Sequence, residues 1–154
     1  MEEAIKQLER LTDAGIDFSI NIIIGGAGKG RGYEHALANS KLLNRIKPKL
    51  IFVGGLHLEP GSQLEKDIRE GVFVESTLRE NIEEEIEMLK RLELENTIFF
   101  GLHPSNAVQA YGLLPTDKEK ILATLEKGLN TISKEYLDAA RLEKGPEGNL
   151  SFIR

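Results

Sequence analysis

Phe18-Ser19-Ile20-Asn21-Ile22-Ile23-Ile24-Gly25-Gly26 is the stretch that decides the fold. Its aliphatic and β-branched side chains occupy both parities, the pattern of a strand covered on both faces, which is the setting of parallel sheets. Gly25 ends the run and a glycine-rich turn follows. The expectation is a central parallel strand.

Working outward, Ala4, Ile5, Leu8 and Leu11 recur at helical spacing, and Gly15 stands where a left-handed cap falls, so a helix is predicted over residues 2–14. Downstream, Ala36, Leu37, Leu42, Leu43 and Ile46 predict an amphipathic helix stopped by Pro48. Leu50 to Leu58 reads as a second buried strand. After the Pro60-Gly61 turn, Leu64 to Ile68 reads as a short helix closed by Gly71. Leu78, Ile82, Ile86, Leu89 and Leu92 stripe a long helix that Thr77 and Glu80 cap, and its acidic run, Glu83 to Glu85 with Glu87, reads as the solvated face. Thr97 to Phe100 is a short third strand, and Pro115, Thr116 and Glu119 open a last helix carrying Ile121, Leu122, Leu125, Leu129 and Ile132.

This alternation predicts an α/β fold of parallel (β/α) units in one domain over residues 1–142. A tail over 143–154 is either frayed or adds a marginal edge strand through Leu150 and Phe152. In such sheets ligands gather at the C-terminal strand ends, after Ile24, Gly55 and Phe100.

The chain has 154 residues, well short of the roughly 250 of an eight-unit barrel. Apolar residues make up 40% and charged ones 29%, a globular profile with an aliphatic core. A net charge of −5 supplies no field toward phosphates or anionic lipid, so neither nucleic acid nor a membrane is an expected partner. The absence of Cys excludes disulfides, thiolate zinc, a nucleophilic thiol and a thiolate-held iron–sulfur cluster within this chain. No apolar run approaches spanning length and the charged start lacks a signal-peptide core, which makes the cytoplasm the expected location.

The turn Gly25-Gly26-Ala27-Gly28-Lys29-Gly30-Arg31-Gly32 invites a phosphate-loop reading. It fails the Walker pattern, since Ile23 and Gly30 stand where Gly and Ser or Thr belong, and it fails the dinucleotide fingerprint because Arg31 replaces the third Gly. Two readings stay open: side-chain-free backbone facing an anion with Lys29 and Arg31, or a turn that the glycines merely permit. His57, Glu59 and His103 leave adjacent strands and together suit a divalent metal, but without fixed ligand spacing. Ser105 and Asn106 are polar ligand candidates as well as ordinary turn formers, and Ser105 lacks the glycine elbow of a nucleophile. His35 either bonds the glycine loop or packs on the helix surface.

Together, Ala14-Gly15-Ile16-Asp17, Ile22-Ile23-Ile24-Gly25-Gly26, Glu34-His35-Ala36, Pro48, Glu59-Pro60-Gly61-Ser62-Gln63-Leu64, His103-Pro104-Ser105-Asn106 and Leu114-Pro115-Thr116-Asp117-Lys118 resemble the C-terminal half of radical S-adenosylmethionine enzymes, in the subgroup loosely called coproporphyrinogen oxidase-like. The resemblance runs to about residue 132. It implies about half of a partial TIM-type β/α barrel, with Ile23, Gly25 and Gly26 on one cofactor element and Phe52, Val53 and Gly54 on the next. Beside these, His35, His57, Glu59, His103, Ser105 and Asn106 stand as the substrate or ligand candidates read from the residues themselves. Asn21 and Gly28 depart from the family pattern, which often has Gly and an acidic residue there.

The complete family enzyme carries S-adenosylmethionine and a [4Fe–4S] cluster on three cysteines, and this chain has none, so it is not expected to be catalytically competent alone. A half-barrel has unpaired strand edges at both sides, which predicts self-association or a complementary N-terminal half as partner. A non-catalytic assembly module and, further off, a His/Glu divalent-metal enzyme are the alternatives.

Overall fold

The computed structural model describes residues 2–140. In chain order the elements are α1 (Glu2–Asp13), β1 (Ser19–Ile24), α2 (Gly32–Ile46), β2 (Leu50–Gly55), α3 (Gln63–Arg69), α4 (Leu78–Lys90), β3 (Thr97–Gly101), β4 (Ala110–Leu114), α5 (Lys118–Thr131) and α6 (Lys134–Leu137). The strands form one open sheet in the order β1-β2-β3-β4, with the first two pairings parallel and β3–β4 antiparallel. The fold is thus α/β with a mostly parallel sheet. The tail over 143–154, with Leu150 and Phe152, lies outside the described residues.

Local chemistry accounts for the boundaries. Thr77 and Glu80 close the capping box that starts α4, and Ser62 caps α3 by accepting from the Glu65 amide. β2 stops at Gly55, short of the predicted Leu58, because the Leu56 amide makes the last bond to β1, at the Ile24 carbonyl, before the chain turns away. The helix expected from Pro115 begins at Lys118 as α5, since Leu114 still belongs to β4, and the short α6 follows it. β4 was absent from the sequence reading: it is five residues long, and Gly112 interrupts its apolar alternation.

Two expectations are corrected by burial. Ile22, Ile24, Ile51, Val53, Phe99, Ala110 and Leu114 are buried in a core with Leu43 of α2, Ile86 and Leu89 of α4, and Leu125 of α5. The opposite parity is open: Ile23 is 55% exposed, Tyr111 51% and Leu113 40%. β1 is therefore covered on one face only, because apolar residues on both parities record an apolar surface without recording what covers it. The acidic run of α4 is not simply a solvated face either. Glu83 is exposed, but Glu84 and Glu85 are buried, because α4 sits between α2 and α5 and over β1, which encloses a wide arc of it.

The sheet edges also differ from each other. The Asp117 carboxylate accepts from the Leu113 amide at 2.9 Å, and the Asp117 amide donates to the Leu113 carbonyl at 2.7 Å, which closes β4's outer side at that residue. On β1, the Phe18 and Ile24 carbonyls accept from Lys49 and Leu56, so residues of that parity face β2. By alternation Ser19, Asn21 and Ile23 turn their backbone groups to the unpaired side. β1 is thus a bare edge strand and not the central strand expected, while β4, at the other edge, has its outer side closed at Leu113.

Candidate functional site

The glycine-rich turn is folded against α4 by carboxylates. The Gly25 amide donates to Glu84 Oε2 at 3.1 Å and the Gly30 amide to Glu80 Oε1 at 2.9 Å. Gly28, Lys29 and Arg31 amides donate to the carbonyls of Gly25, Val74 and Gly28. Gly25, Gly28 and Gly30 all have φ between 75° and 82°, where a side chain is strained. Glu80 and Glu84 thus occupy backbone donors that a phosphate would need, and the turn reading of this loop prevails over the anion reading. Burial pushes Glu80 up, but the amides of Thr77 and Gly30 outweigh it and hold its carboxyl below the usual range.

Glu84 also accepts from His35 Nδ1 at 2.7 Å, and that bond holds the imidazole above its ordinary pKa of 6.5 against the pull of burial. The His35 side chain therefore bonds the element that clamps the loop, while its backbone amide donates to the Arg31 carbonyl of the loop. Beside it, Glu85 is completely enclosed, its Oε1 has no partner among the described residues, and burial, then the Glu84 charge, push it up to about 8. Neither Glu84 nor Glu85 was singled out from sequence. The signal was there for Glu85, which falls on the same stripe as Leu78, Ile82 and Leu89.

At the ends of β2 and β3 a second group assembles. Asn106 Nδ2 donates to the carbonyls of Val53 and Gly101, each at 3.0 Å, and so ties the two strands together. His103 Nδ1 lies 2.6 Å from Ser105 Oγ and accepts from the Ser105 amide, while burial, then His57, hold its pKa below 6.5. A neutral ring with Nδ1 as acceptor leaves the proton on Nε2. Gly54 and Gly55 admit this loop closely: a Cβ on Gly55 would stand 2.8 Å from the Ser105 carbonyl oxygen. Phe52 stacks on Phe100 at 5.1 Å and meets His103 edge-on at 5.7 Å, and Phe100 meets Tyr111 edge-on at 5.9 Å, which makes an aromatic stripe on the open face.

The other candidates divide by side. Ile23 and Gly54 are register partners at the C-terminal end of the open face. The Val53 side chain is fully buried toward the helices, Gly25 is wedged against Asn81 and Ser76, and Gly26 sits by the Ile23 carbonyl near His35. His57 and Glu59 are 3.7 Å apart and largely exposed. Among the described residues, no group of three or more His, Asp or Glu is placed to hold a metal, so His57, Glu59 and His103 do not assemble as ligands. No helix of the described residues is long and apolar enough to cross a membrane. Comparisons with protein-family models, curated proteins and solved structures find no match.

Proposed function

We propose that the chain is the cofactor- and substrate-binding C-terminal half of a radical S-adenosylmethionine-type β/α barrel. The observation that carries this reading is the one-sided sheet: helices cover one face, and the other, apolar and open, bears Ile23, Gly54 and His103 at its C-terminal end. A barrel wall needs that asymmetry, since its inner face packs against the rest of the wheel.

The chain's residues do not fit an iron–sulfur cluster, because it has no thiolate to offer. For S-adenosylmethionine the fit is better: Ile23 gives an exposed apolar platform, its register partner Gly54 lets the His103–Ser105 loop close in beside it, and the bare backbone of Asn21 and Ile23 offers hydrogen bonds to a purine edge. When bound, that cofactor would supply the adenosyl group. This chain would hold and orient it, and the cluster and its electron belong to a complementary half. Phe52, Phe100, Tyr111 and His103 Nε2–H would face substrate.

Calorimetric titration with S-adenosylmethionine tests the reading. Binding that Ile23→Asp and Gly54→Val each weaken by about tenfold or more supports it. Binding that neither variant changes, or no binding to the chain with or without a cysteine-bearing β/α half, overturns it. The second reading, a non-catalytic assembly module, is favoured by the bare β1 edge, and specific capture of a protein partner without adenosyl-ligand binding would select it.

A further inference from the structure

We infer that Glu84 and Glu85 make α4 a proton-operated latch on the glycine turn: while Glu85 carries its proton, α4 stays seated on the ends of β1 and β3, and loss of that proton frees the turn. The two residues are neighbours on one helix, both are buried, and their carboxyls meet different surroundings. Glu84 Oε2 accepts from the Gly25 amide, one residue past β1, and Oε1 accepts from His35 Nδ1. Glu85 Oε1 has no partner among the described residues and abuts the last residue of β3, since a Cβ on Gly101 would stand 3.2 Å from it.

That difference places the proton. Neighbouring buried carboxyls disfavour ionising together, and the one met by donors keeps the charge. Glu84 is the anion and Glu85 the neutral acid, in keeping with burial and then the Glu84 charge pushing Glu85 up to about 8. An ionised Glu85 gains water only if α4 lifts from β3. The same movement draws Glu84 from Gly25, because both carboxyls ride on one turn of helix.

The charges facing the pair from its neighbours give Glu85 no counter-ion. β1 and β3 contain no charged residue. At the start of α2 Arg31 acts on His35, Lys29 of the turn acts on Glu80, Glu126 of α5 borders the groove that Glu84 lines, and Asp138 after α6 pairs with Arg79. On Glu85 the charge that acts is that of Glu84. His35 does not operate the latch, since a neutral ring can still donate from Nδ1. The device uses none of the residues assigned to cofactor or substrate and does not depend on the barrel reading.

A freed Glu85 ionises near 4.5, so opening releases a proton and becomes about tenfold easier per pH unit from there to about 8. Amide hydrogen exchange of the full chain, read at isotope-labelled glycines by NMR, tests this. Between pH 5 and 6.5 His35 is charged whether the turn is held or free, so Glu85 sets the slope. The Gly25 amide is expected to be less protected than that of Gly128, buried within α5, and its protection factor to fall about tenfold per pH unit. Glu85→Gln should abolish that fall. Should it fold poorly by circular dichroism, Glu85→Met, which fills the same place without titrating, decides. Gly25 protection equal to that of Gly128, a wild-type protection factor level with pH, or an unchanged fall in the folded variant would overturn the latch.

Discussion

Between pH 4.5 and about 8 the folded chain holds a proton on Glu85 that the unfolded chain has released. A group with its folded pKa raised in this way makes stability fall as pH rises across that window, at about 1.4 kcal/mol per pH unit for one group. His35 works in the same direction: its contribution is complete below 6.5 and is lost as pH climbs through its raised folded value. Denaturant unfolding at a series of pH values between 5 and 9 should therefore show declining stability in the wild type and a shallower decline in Glu85→Gln, which keeps the shape without the titration. Equal slopes would refute the assignment. At Gly25 the backbone has φ 79°, and an added Cβ would stand 2.7 Å from both Asn81 Oδ1 and Ser76 Oγ. Gly25→Ala should cost at least about 2 kcal/mol by the same measurement, from strain and crowding together.

α4 is the element on which the candidate site depends, since it carries Glu80 and Glu84 to the glycine turn and Glu85 into the core. Thr77→Ala removes the side-chain half of its capping box and should cost about 1 kcal/mol in unfolding free energy. Asn106→Ala removes two bonds that join β2 to β3 and should cost about 2 kcal/mol, with faster amide exchange at the ends of those strands. These elements also mark how far the sequence could be read. Leu78, Ile82, Ile86 and Leu89 announced α4 and its packing face, and Phe18 to Ile24 announced a strand, because apolar periodicity is set by the chain itself. Glu84 was hidden in an acidic run, since its burial depends on the distant Gly25 and His35 and on α2 and α5 lying at either side. β4 was hidden because Gly112 weakens its pattern and antiparallel pairing with β3 is a tertiary event. His103, Ser105 and Asn106 were legible as a polar group after a strand, but the bonds of Asn106 to two strands were not.

At the scale of the molecule, the sheet has one apolar face under helices and one in solvent, and its β4 edge is closed by Asp117 at Leu113 while its β1 edge is bare. Exposed apolar surface of this kind marks an interaction site, and an unpaired edge invites pairing. Both features lie at β1, where Ile23 is exposed and Ser19, Asn21 and Ile23 turn their backbone groups outward. The central claim is that this open face is completed by another β/α wall. Sedimentation equilibrium of the chain at tens of micromolar, compared with the Ile23→Lys, Tyr111→Lys double variant, tests it most directly. The account predicts concentration-dependent association of the wild type, with itself or with an added cysteine-bearing β/α half, that the folded double variant loses; a wild type that associates with neither, or a double variant that associates equally, would contradict it.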